Sequence, residues 1–97
     1  MRERITDKQL QAVVDRINRE TNSPMEPYTK DASGRIRANV GNYHLSWAYG
    51  GVELNRMDTQ GGGVTCPLGE GHGTKRDLYE KMYAFLRGLE AAKNPGV

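Results

Sequence analysis

The sequence predicts an α+β domain in two layers: a helix, a three-stranded antiparallel meander and a second helix. Three observations carry this reading. Apolar residues recur at helical spacing over residues 7–20, alternate strictly through residues 36–54, and return to helical spacing between Leu78 and Leu89. A chain of 97 residues supports one core, so a single domain spans 1–97, ordered over about 5–90 with a flexible tail at 91–97.

The first helix opens on Thr6 and Gln9, which fit a capping box, with Ile5 and Leu10 as the hydrophobic staple around it. Leu10, Val13, Val14 and Ile17 form its apolar stripe, and Lys8, Asp15, Arg16 and Arg19 lie off it. It should run from about Asp7 to Glu20. Residues 21–34 contain Pro24, Pro27 and a Ser33-Gly34 turn, and read as a connecting loop.

In the middle, Ile36, Ala38 and Val40 alternate with Arg35, Arg37 and Asn39 before Gly41-Asn42, and Tyr43, Leu45, Trp47 and Tyr49 alternate with His44, Ser46 and Ala48 before Gly50-Gly51. Read as two-residue hairpin turns, these glycine pairs set Ile36 against Trp47, Tyr49 against Val52 and Trp47 against Leu54, all on one face. Trp47 becomes the centre of the apolar face. The opposite face carries Arg35, Arg37, Asn39, His44, Ser46, Glu53 and Asn55. After Gly61 to Gly63 there is room for a short fourth strand at Val64 to Cys66, stopped by Pro67. The closing helix is capped by Thr74, with Asp77 three residues on, and Leu78, Met82, Phe85, Leu86 and Leu89 form its stripe up to Asn94-Pro95-Gly96.

Lys and Arg outnumber Asp and Glu by only 14 to 12, so only a local basic cluster could mark a nucleic-acid binder. No apolar run approaches the roughly 20 residues that cross a bilayer. The start Met1-Arg2-Glu3-Arg4 lacks the apolar stretch of a secretion signal, and Cys66 has no second cysteine to pair with. A cytoplasmic protein with no membrane partner is the expectation.

Gly69-Glu70-Gly71-His72-Gly73 leads into Thr74, Lys75 and Arg76. Free amides and the positive end of a helix favour phosphate, which makes Gly71, His72, Gly73, Thr74, Lys75 and Arg76 a candidate anion or nucleic-acid site. The plain alternative is a loop followed by a helix cap. It is not a nucleotide P-loop, because Thr74 precedes Lys75. The glycine-rich stretch is expected to be mobile without a ligand. Tyr79 and Tyr83, beside Arg76 and Lys81, either bind a partner or border the core with their hydroxyls in water. Arg35 and Arg37 likewise are partner contacts or a solvated face. Cys66, His72, His44 and Glu70 show no zinc-site spacing, and no nucleophile elbow or paired-carboxylate site is present, so no metal, cofactor or catalysis is expected.

The order helix, meander, helix resembles the double-stranded RNA-binding domain, and residues 71–76 are similar to the glycine and basic start of that domain's second helix. The stretches Ala48 to Leu54, Gly61 to Gly63 and Gly73 to Tyr79 are similar to small accessory proteins of tailed phages and prophages. The phage likeness implies a small accessory protein of unassigned role, and the basic helix entry at Lys75 and Arg76 makes non-enzymatic binding of nucleic acid the expected function. The alternative is a protein-binding modulator of a host or phage enzyme. Partner identity and oligomeric state stay open.

Overall fold

Helix α1 forms over Asp7–Glu20, the span its sequence marks. The Thr6 hydroxyl accepts from the Gln9 amide at 3.1 Å while the Gln9 side chain accepts from the Thr6 amide at 2.8 Å, which completes the capping box. The computed structural model describes residues 4–69 and 71–93. After α1 come β1 (Tyr28–Lys30), β2 (Ile36–Ala38), β3 (Tyr43–Ala48), β4 (Gly51–Met57), β5 (Val64–Thr65) and α2 (Lys75–Lys93). The fold is α+β in helix–sheet–helix order. Strands β1 and β2 make a two-stranded sheet, and β3, β4 and β5 make an antiparallel meander.

The core lies between the helices and the meander. Leu10, Val13, Val14 and Ile17 of α1 meet Leu78, Met82 and Leu86 of α2, and both helices close over Tyr43, Val52 and Leu54. Ion pairs from Arg16 to Glu90 at 3.2 Å and from Lys93 to Glu20 at 2.9 Å run along the helix interface. Helix α2 extends to Lys93, so residues 91–93 are helical where a tail was expected. The Asn94-Pro95-Gly96 stop lies outside the described residues.

The meander is built from strands other than those the sequence suggests. Residues 36–38 turn back onto β1, with Tyr28 opposite Ala38 and Lys30 opposite Ile36, and do not pair with β3. The cause is the geometry of Gly41-Asn42. The Asn42 amide donates to Asn39 O at 3.1 Å and Gly41 takes φ +97°, a type II turn that splays its flanking segments. Asn42 is buried and gives its side-chain amide to Pro24 O at 2.8 Å, while its carbonyl accepts from Met57 N at 2.7 Å. The pair therefore bends the chain from one ribbon into the next.

Strand β1 lies in the stretch read as a loop. Its hairpin is closed by Asp31, whose Oδ1 accepts from Ser33 Oγ at 2.6 Å, Ser33 N at 2.9 Å and Arg35 N at 3.0 Å. The Ser33 hydroxyl foremost, then the Arg35 amide, hold the Asp31 carboxyl below its usual range. A lowered folded-state pKa contributes stability that is present above the unfolded value and is lost as pH falls through the folded one. Acid titration should therefore move the Ser33 and Arg35 amide resonances together, with a midpoint below that of a free aspartate. A midpoint at or above the free value would contradict this closure.

Strand β3 pairs with β4 one residue away from the expected turn. Ala48 faces Gly51, Trp47 faces Val52 and Leu45 faces Leu54, so the turn is Tyr49-Gly50. The same side chains still share a face, but Trp47 moves toward the hairpin tip. It is 48% exposed, and Ile36 on the other sheet is 71% exposed. Neither is the centre of the core. Strand β3 is the sheet edge, and Trp47 sits next to its end, so the helices cover it only in part.

Candidate partner-binding site

The segment before α2 is fastened to β4 by two backbone hydrogen bonds, Val52 N to Gly73 O at 3.0 Å and Gly73 N to Val52 O at 3.1 Å. This approach needs glycine at position 51, where a Cβ would stand 2.6 Å from His72 O and 2.8 Å from Gly73 O. Next along β4, the Glu53 carboxylate accepts from Gly71 N at 3.0 Å and from the Cys66 thiol at 3.6 Å, and lies 3.7 Å from His72 Nε2. Ser46 Oγ completes the contact to His72 Nε2 at 3.3 Å, and Asn55 Oδ1 takes the Cys66 thiol at 3.5 Å. The Glu53 and His72 side chains are only 12% and 15% exposed.

The polar face of the meander is thus a packed cluster, and the glycine-rich stretch expected to be mobile is bound to it at Gly71 and Gly73. Gly69 N also donates to Cys66 O at 3.0 Å, so the stretch is anchored at Gly69, Gly71 and Gly73, which lowers its freedom. Glu70 lies outside the described residues. His44 Nδ1 donates to Asn42 Oδ1 at 3.1 Å, and its burial lowers its pKa.

At the hairpin end beside this cluster stand two exposed rings, Tyr49 and Trp47, and a cation. Tyr49 is 96% exposed and takes φ +53°, and its ring meets the His72 ring edge-on at 5.7 Å. The Lys75 ammonium lies 5.7 Å over the Trp47 ring and 2.7 Å from the Asp7 carboxylate. The hairpin tip and the first turns of both helices therefore meet at one surface. The Asp7 contact also accounts for a lysine in the first turn of α2, where the helix dipole alone disfavours it. Thr74 caps the helix by accepting from Asp77 N at 3.1 Å, and Asp77 pairs with Lys81 at 3.2 Å.

The residues singled out from sequence fall into three places. Gly71 to Lys75 belong to the region just described, whereas Arg76 lies near Tyr79. Tyr79 and Tyr83 pack with their rings tilted, centroids 4.8 Å apart, and border the core, with the Arg16 guanidinium 6.0 Å over the Tyr83 ring. Tyr83's hydrogen bond, then partial burial, raise the Tyr79 hydroxyl above its usual pKa, against the pull of Arg76. Arg35 and Arg37 are on the β1–β2 hairpin, where Arg37 pairs with Asp31 at 3.4 Å. Tyr49 and Asp7 were not singled out. The left-handed turn position of Tyr49 becomes visible only once the pairing of β3 with β4 is known.

Among the described residues, no three His, Cys, Asp or Glu side chains are placed to share a metal ion, and no helix is long and apolar enough to cross a membrane. Compared with protein-family models, curated proteins and solved structures, the chain matches none.

Proposed function

We propose that this chain is a non-enzymatic binding protein that grips a protein partner with the surface of Tyr49, Trp47, His72 and Lys75. The observation that carries the reading is Tyr49, an almost fully exposed aromatic held at φ +53°. A left-handed backbone costs an ordinary L-residue roughly 1–2 kcal/mol, and Asn-Gly would make this turn without that strain. The ring gains little burial in return. Such an outlier at an exposed tip points to contact with something outside the chain.

The chemistry of the patch favours protein over nucleic acid. Exposed Trp and Tyr beside a rim of mixed charge suit a protein interface, where aromatic anchors carry most of the binding energy. A polyanion would instead have to compete with Asp7 for Lys75 and meet Asp77 nearby. The Cys66 thiol donates to a carboxylate and an amide oxygen, the reverse of the surroundings that release a reactive thiolate, which supports binding over cysteine chemistry. One observation favours the nucleic-acid reading: Lys75 and Arg76 start α2 beside two exposed rings on which bases could stack.

The likeness to phage accessory proteins makes a bacterial lysate the natural source of partner. Immobilised protein should retain a bacterial protein after nuclease treatment, and retention should change little between low and high salt. For nucleic acid, affinity would fall steeply with salt and the Lys75→Gln/Arg76→Gln variant would flatten the slope by about two units. Retention that nuclease abolishes would contradict the protein reading.

A further inference from the structure

We infer that the open edge of β3 is a docking groove for an extended segment of a partner protein, which joins the sheet as an added strand and carries alternating apolar side chains with basic residues at one end. This rests on reading the chain as a protein-binding module, and it uses the surface adjoining Tyr49.

The pairing of β4 fixes which backbone groups are open. Val52 gives both its N–H and its C=O to Gly73, so its cross-strand pair with Trp47 is one that exchanges no hydrogen bonds. By alternation, His44, Ser46 and Ala48 bond toward β4, and Tyr43, Leu45 and Trp47 aim their backbone groups outward. Tyr43 agrees with this assignment: its N–H donates to Asn18 Oδ1 at 2.8 Å and its C=O accepts from Asn18 Nδ2 at 3.0 Å. Helix α1 thereby closes the first part of the edge. At Leu45 and Trp47 no such partner is found among the described residues. Two donors and two acceptors stand open on a strand that has no proline, lysine or arginine to blunt it.

Beside this edge, between α1 and β3, lies a groove of about 510 Å³. Leu45, Trp47 and Met25 supply apolar contacts, and Gln11, Asp15 and Glu26 supply polar ones. Asp7, near the Trp47 end, is already paired with Lys75. Asp15 and Glu26 make the rest of the rim acidic, which calls for cations on the occupant. A second copy would bring β3 with no lysine or arginine, so a partner segment fits better. Main-chain bonds to Leu45 and Trp47 would supply affinity, and side chains reaching the groove would supply selectivity. In the more stable antiparallel sense, the occupant's basic end is its C-terminal end, beside residues 25–27.

The probe is an amidated peptide alternating valine and threonine and ending in two arginines, titrated into the isotope-labelled full chain. The Leu45 and Trp47 amides should exchange rapidly in the free protein and become protected with peptide, while Ser46 is protected throughout. Leu45→Pro removes an outward N–H, which an edge strand tolerates, and should weaken binding at least about tenfold. Should that variant not fold, Asp15→Lys/Glu26→Lys should weaken the arginine peptide by a similar factor and favour one ending in glutamates. The peptide titration and retention from lysate are read separately: amide protection without retention means that the Tyr49 surface fails and this edge stands, and retention without protection means the reverse. Three results would overturn the inference: saturating peptide that protects neither amide, binding that survives both variants, or protection already present in a dimer of the free chain.

Discussion

Replacing Asn18 with alanine should destabilise the domain by about 2–4 kcal/mol, a large share of the stability of so small a protein. Asn18 is 1% exposed, and its side chain both accepts from and donates to the backbone of Tyr43. Alanine would strand that N–H and C=O together under α1, and each buried unsatisfied group costs roughly 1–3 kcal/mol. Trp47→Ala, by contrast, removes a half-exposed ring and should cost only about 1 kcal/mol. Urea unfolding of the two variants checks the order. An Asn18→Ala midpoint close to wild type, or a larger loss at Trp47, would place the core elsewhere.

Gly51→Ala should cost about 2–3 kcal/mol, because the new Cβ would meet backbone oxygens that cannot step aside. To make room, the segment before α2 must leave β4, which breaks the Val52–Gly73 pair and draws His72 away from Glu53. Amide exchange at Val52 and Gly73 should accelerate together, while the α1 amides stay protected up to global unfolding. Gly50→Ala is the contrast. A Cβ there meets nothing within 4 Å, so only the strain of φ +73° remains. Equal losses at the two glycines would mean that the close approach at Gly51 carries no weight.

Both helices were legible because their signals are local. Thr6 and Gln9 cap α1 by bonds within one turn, and the stripes from Leu10 to Ile17 and Leu78 to Leu86 need only a 3.6-residue period. The strands were harder. Alternation over residues 36–54 assigned faces well, and Leu45, Val52 and Leu54 do share one, but alternation alone cannot say which strand pairs with which. That choice lay with Asn42, which is buried by Pro24 and Met57, residues distant in sequence. The turn moved to Tyr49-Gly50 because Gly51 is needed where His72 and Gly73 press against it, contacts 21 and 22 residues away that no local pattern reveals. The same holds for the site. Lys75 was visible as a cation at a helix start, whereas Asp7, which answers its charge, comes from the other end of the chain.

The most direct measurement is on one substitution, Tyr49→Asn, followed in two ways. Asparagine suits the left-handed turn position, so relief of strain should raise the unfolding free energy by about 0.5–1 kcal/mol. The same change removes the exposed ring, and retention of a partner from bacterial lysate should fall to background. A variant that is more stable and no longer binds is the expected result. A variant that is less stable, or that retains the same partner as well as wild type does, would contradict the assignment of Tyr49 to binding.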